Sequence, residues 1–224
     1  MRALTWHGKH NVQVDTVPDP QIVNPRDAII KITATAICGS DLHLIDGLIP
    51  TMREGDVLGH EFMGDVVDVG REVTRVKKGD RVVVPSFIAC GNCWYCQHDL
   101  YSLCDTTHPK PELQEPLLGY PTGGIYAYSH AFGGYAGSHA EYIRVPFADT
   151  DCFLVPDGVS DEDALFVSDA APTGFMGADL TASLFLFVEL FSHTRSDVVT
   201  GTIVQNGFGT EHDIIVFFLH HFGD

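Results

Sequence analysis

Four cysteines crowd into CGNCWYCQHDLYSLC, residues 90–104, of a chain that has six in all. The spacing C-x2-C-x2-C-x7-C lets Cys90, Cys93, Cys96 and Cys104 converge on one centre, the last reaching back across a short lobe at 88–105. Four thiolates at this density suit a structural zinc, with Zn–S distances of ~2.3 Å and no open coordination position. A closed site binds no substrate, so this lobe reads as a staple. An iron–sulfur cluster is the rival, since C-x2-C-x2-C also opens ferredoxin runs. Those runs continue with x3-C-P, whereas here seven residues intervene and Asp105 follows Cys104. The plainest alternative is a set of reduced cysteines or disulfides.

Chemistry needs a metal that keeps a position open, and a second constellation offers the ligand types. Cys38 stands in ICGSDLH, and His60 and Glu61 stand in GHEFMGDVVDVG. Thiolate, imidazole and carboxylate are what a catalytic zinc takes from a protein, with water or substrate in the fourth place. Singly, each is weak: a lone cysteine is commonly a small core residue, and a lone histidine a satisfied polar group.

The elements that must hold these residues are mainly strands up to about residue 150. DAIIKITATAI (27–37) sets Ile30, Ile32, Ala34 and Ala36 on one face and Lys31, Thr33 and Thr35 on the other, which predicts a strand. GDVVDVG (64–70), GDRVVVPSF (79–87) and AEYIRVP (140–146) predict further strands, the second closed by a proline. Short strands punctuated by Gly and Pro suggest a barrel or sandwich. Residues 105–138, rich in Pro, Gly and Tyr, read as a long loop over it. Beyond 155, Ser160 caps a helix whose first turn holds Asp161, Glu162 and Asp163, and Pro172 is expected to kink or end it. No amphipathic period of useful length emerges in residues 181–224.

Composition excludes some partners. Thirty acidic residues against thirteen basic give −17, a surface that repels phosphate backbones and argues against nucleic acid. No stretch approaches the ~20 apolar residues of a membrane span. The start MRALTWHGKHNVQV lacks the apolar core of a signal peptide, so the expected setting is the cytoplasm, where thiols stay reduced. The acidity also suits adaptation to concentrated salt.

GHEFMGDVVDVGREV has the G-H-E-x2-G-x5-G form of the zinc-containing alcohol dehydrogenases of the medium-chain dehydrogenase/reductase superfamily. CGSDLH resembles their first ligand motif, VTRVKKGDRVVV the segment that follows, and the four-cysteine lobe stands in the expected place. The resemblance runs over residues 1–180. It implies a mainly β, GroES-like barrel with short helices over 1–155, a helical connection at 156–180 and a divergent tail at 181–224. It also implies two zincs per chain, one closed and one catalytic. TWHGKHNVQVDTVPDP, AEYIRVPFADTDCFLVPD and LFVSDAAPTGFMGA look most like the glutathione-independent formaldehyde dehydrogenase branch. That branch supplies an aspartate as the remaining ligand, so Cys38, His60 and Asp169 are implied to bind the catalytic zinc, with Glu61 beside it. By the same analogy Ser40 hydrogen-bonds the substrate oxygen and His43 passes the proton to solvent. The implied reaction is hydride transfer between a small alcohol or aldehyde, formaldehyde among them, and NAD or NADP.

The resemblance breaks off after Leu180. Relatives continue into a Rossmann domain built from βαβ units of ~30 residues or more, whereas 44 residues remain here without G-x-G-x-x-G. NGFGTEHD (206–213) offers Gly207 and Gly209 and then acidic groups where an anion would sit. The expectation is a truncated or frame-shifted member whose cofactor domain is absent. The competing function is a non-catalytic, zinc-binding GroES-like domain. Homo-oligomeric association is a further expectation, since relatives often associate through the cofactor domain.

Overall fold

A computed structural model describes residues 1–108 and 110–192. In chain order the elements are β1 (Arg2–Trp6), β2 (Val12–Thr16), β3 (Ala28–Ala36), α1 (Gly39–Ile45), β4 (Asp56–Val57), β5 (Glu61–Val69), β6 (Arg81–Val84) and β7 (Phe87–Ile88). There follow α2 (Trp94–Gln97), α3 (Pro111–Leu118), β8 (Gly124–Ile125), β9 (Tyr142–Val145), α4 (Ala148–Asp151), β10 (Phe153–Leu154), α5 (Asp161–Leu165) and α6 (Ala170–Ser192). The chain divides into two compact units, residues 1–169 and the segment that begins at Ala170.

The first unit is mainly β with short helices, as the sequence predicts. A five-stranded antiparallel sheet in the order β10-β6-β5-β3-β9 is its centre, beside a three-stranded sheet β2-β1-β4 and the small pair β7-β8. Alternation along β3 works as read: Lys31, Thr33 and Thr35 are exposed while Ile30 is fully buried. Ile30, Phe62, Val66, Val82, Val84 and Ile143 pack from four neighbouring strands into one core. Burial of such side chains contributes roughly 1.5–3 kcal/mol each. At the edge, buried Asp27 is neutralised by Arg144 at 2.9 Å, so its carboxylate is not left uncompensated.

β3 and β5 are paired over most of their length, and two register shifts, at Ile29/Ile30 and Ile32/Ala34, bend the ladder. Gly64 sits opposite Ile32, where a Cβ would stand 2.1 Å from the Lys31 carbonyl oxygen. Only glycine permits that approach of the two backbones.

Two sequence expectations are corrected. Residues 105–138 are not a plain loop: they hold α3, β8 and short 3-10 turns, with Pro111 opening α3 where its missing N–H costs nothing. Pro172 neither kinks nor ends the helix capped by Ser160. That helix, α5, stops at Leu165, a 3-10 turn spans Phe166–Ser168, and Pro172 lies in the first turn of α6. The Ser160 cap itself is present, its Oγ accepting from the Asp163 N–H at 3.1 Å. Among the described residues no βαβ unit occurs, and no helix is long and apolar enough to cross a membrane. NGFGTEHD and the tail beyond Ser192 lie outside the described residues.

Candidate metal centres

The cysteine lobe hangs from β7, with α2 inside it. Cys93 Sγ is 3.5 Å from Cys96 Sγ and 3.8 Å from Cys104 Sγ, and Cys90 Sγ is 4.0 Å from Cys96 Sγ. These are far beyond a disulfide bond, and all six cysteines are free. A tetrahedral ion with bonds of ~2.3 Å sets its sulfurs about 3.8 Å apart, so the four sulfurs have the spacing zinc requires. The backbone prepares them for negative charge. The N–H groups of Asn92 and Cys93 donate to Cys90 Sγ, and that of Cys90 donates to Cys104 Sγ. Burial opposes ionisation of Cys90, but hydrogen bonds from Thr106, Asn92 and Cys93 outweigh it and bring that thiol down to about 7. Cys96 and Cys104 are pushed up, first by burial, because without a cation several buried thiols cannot all ionise.

The second cluster forms where the main ladder ends. Its last rung pairs Ala36 with Glu61, so Cys38 lies just past β3 and His60 just before β5. Asp169 arrives from the turn between α5 and α6, where the Ser86 N–H donates to the Ser168 carbonyl at 3.3 Å and ties that turn to the sheet. Cys38, His60, Glu61 and Asp169 thus converge, each offering a ligand atom within 4.8 Å of the others. His60 Nε2 is 3.6 Å from Asp169 Oδ2, close to the roughly 3.4 Å edge of a tetrahedron with bonds of ~2.1 Å. His60 and Glu61 are buried, and Cys38 and Asp169 are half-buried.

The electrostatics call for a cation. Burial, then the charge of Asp169, push the Glu61 carboxyl up. Burial disfavours a charged His60, yet Asp41 and Cys38 prevail and hold its proton up to about 10. A proton therefore does at His60 what a metal ion would do better: it offsets the buried Asp41 carboxylate beside it. Residue types, spacing and charge all fit zinc.

Ser40, inside α1, accepts from Cys38 Sγ at 3.7 Å, while His43, one turn on, has an exposed side chain. Asp41 escaped the sequence reading. It is 1% exposed, its Oδ2 accepts the Cys38 N–H at 2.9 Å, and its Oδ1 is 3.4 Å from His60 Nδ1. Neither Asp41 Oδ1 nor His60 Nδ1 is otherwise satisfied. Asp41 thus fixes the start of α1 and turns the imidazole so that Nε2 faces Asp169. The signal was there, an acidic residue three after Cys38 at a helix start. Tyr128 was missed too: its ring meets the His60 ring edge-on at 6.4 Å and packs on Phe132 at 4.9 Å. It comes from a distant loop with no local motif.

Residues 24–157 match the alcohol dehydrogenase GroES-like domain family. A zinc-type alcohol dehydrogenase-like protein of Bacillus subtilis is 48% identical over 181 residues, covering 80% of this chain and 46% of its own length. A glutathione-independent formaldehyde dehydrogenase of Pseudomonas aeruginosa is 36% identical over 187 residues, covering 79% of this chain and 44% of its own. Among solved structures, an alcohol dehydrogenase from Thermus sp. ATN1 superposes with a TM-score of 0.69 at 39% identity, covering 78% of this chain and 46% of that one. The chain therefore spans under half the length of these relatives.

Proposed function

This chain belongs to the alcohol dehydrogenase GroES-like domain family, and we propose that it is the metal-bearing catalytic part of a zinc-dependent alcohol or aldehyde dehydrogenase. The observation that carries the proposal is the convergence of Cys38, His60, Glu61 and Asp169 at the end of the β3–β5 ladder. Zinc bound there supplies a Lewis acid for an alcohol or aldehyde oxygen, and NAD or NADP is the hydride partner the family implies. Cys38, His60 and Asp169 are its ligands in this reading, with Glu61 beside them. Ser40, next to Cys38, holds the proton of the substrate hydroxyl. His43, exposed one turn along α1, passes it to solvent. Cys90, Cys93, Cys96 and Cys104 hold a second, structural zinc away from the chemistry. The substrate class is a small alcohol or aldehyde, and the Pseudomonas relative supports formaldehyde as one to assay first.

A second reading is a zinc-binding domain without turnover, favoured by the lack of a βαβ unit among the described residues. Zinc analysis combined with an NADH fluorescence titration tests both. The proposal expects two zinc ions per chain and one after Cys38→Ser/His60→Ala; saturable NADH binding followed by dehydrogenase activity would show that this polypeptide turns over alone. Two zincs without NADH binding at millimolar concentration would make this polypeptide the metal-bearing half of an enzyme, unable to turn over alone. One zinc in the unaltered chain overturns the catalytic centre.

A further inference from the structure

The two ligands Cys38 and His60 both lie beyond the last rung of the ladder that brings them together. Strand ends fray, opening at little cost relative to the core of a sheet. A third segment closes this gap. The N–H groups of Gly137, Ser138 and His139 donate to the carbonyls of Val57, Gly59 and Leu58 at 2.9, 2.9 and 2.8 Å, immediately before His60. From that seat the side chains reach across to the end of β3. Ser138 Oγ is 3.1 Å from Thr35 Oγ1, which itself donates to the Glu61 carbonyl at 2.9 Å. His139 Nε2 is 3.1 Å from the Ala36 carbonyl. A carbonyl only accepts, so Nε2 carries the proton.

Gly59 makes the contact possible. It has φ +96°, and a Cβ there would stand 2.4 Å from the His139 ring. The imidazole therefore lies flush against the backbone that delivers His60, while its Nε2–H holds the backbone that delivers Cys38.

We propose that Ser138 and His139 are positioning residues: a side-chain clamp that sets the distance between Cys38 and His60 and so the affinity of the catalytic metal site. This rests on the reading of Cys38, His60 and Asp169 as ligands. The clamp touches neither the metal nor the substrate, and it acts through the two strand ends. Because the cysteine lobe hangs from a different part of the fold, the effect is confined to one of two metal sites.

The test measures zinc affinity at each site by competition with a chromophoric chelator, and the visible spectrum after Co2+ substitution, which distinguishes four thiolates from one. Ser138→Ala/His139→Leu should weaken the Cys38 site by ~10–100-fold and shift its cobalt spectrum, leaving the tetrathiolate site unchanged. His139→Gln, which keeps a donor, should restore most of the affinity. Unchanged affinity at the Cys38 site, or equal loss at both sites in a folded protein, overturns the clamp. Should the double variant fail to fold, Ser138→Ala and His139→Leu are made singly, and an unaltered cobalt spectrum in both overturns the clamp equally. Metal uptake by the unaltered chain at the cysteine lobe alone would instead remove the proposed function, a separate failure.

Discussion

His60 stands between two carboxylates, Asp41 at Nδ1 and Asp169 at Nε2, and in the metal-free protein it keeps its proton up to about 10. The folded pKa lies above the unfolded one, ~6.5. Its contribution to stability is therefore fully present below that pH and is lost as pH rises towards 10. Glu61, also raised, acts in the same sense from the carboxylate range upward. We expect the melting temperature of chelator-stripped, reduced protein to fall between pH 6.5 and 10 more steeply than that of His60→Ala. Parallel profiles would show that the His60 proton stabilises nothing. With zinc present the proton is displaced, so metal binding should tighten over the same window. At this scale the sequence displayed Cys38, His60, Glu61 and the four lobe cysteines through residue type and spacing. Asp169 came only through the family resemblance, and Asp41 was hidden by its likeness to an ordinary helix-start acid.

The ladder between β3 and β5 is the element on which the catalytic cluster depends, and Gly64 is its tightest point. Gly64→Ala would press a methyl against Lys31 O at 2.1 Å and Ile30 Cγ2 at 2.8 Å. The strands must then separate, at a cost of about 2–3 kcal/mol in urea unfolding. Gly39→Ala, which meets nothing within 4 Å, should be neutral or gain up to ~1 kcal/mol in helix propensity. Equal effects of the two changes would refute this account. The strands themselves were legible because apolar and polar residues alternate with the period of a pleat. Residues 105–138 were not, since 3-10 turns and a proline-started helix have no such period. Pro172 misled because one proline can end a helix or begin one, and only the preceding turn at Phe166–Ser168 decides which.

Across the whole molecule the excess of acid is the dominant field: −17 over 224 residues. Exposed pairs such as Lys78–Asp68 at 2.7 Å compensate a small part of it. Raising ionic strength from ~0.01 M to ~1 M shortens the Debye length from about 30 Å to about 3 Å. Self-repulsion should then relax and the melting temperature rise. Sodium chloride should act at the low end of that range, where sucrose at equal osmolarity does not. A flat profile would mean that the acidic groups are too dispersed to repel one another and would remove any case for salt adaptation.

Ligand chemistry, strand periodicity and family were properties of the sequence alone, because each is written in residues close along the chain. The lobe is the clearest case: its four sulfurs span fifteen residues, so short-range geometry suffices to gather them. The catalytic cluster depends on contacts that no local pattern encodes. Cys38, His60 and Asp169 are separated by 22 and 109 residues and meet only because β3 pairs with β5 and the turn before α6 docks on Ser86. Tyr128, Ser138 and His139 join them from a third stretch of chain. What surrounds a metal site is decided by burial and hydrogen bonding in three dimensions, and only the tertiary structure supplies those.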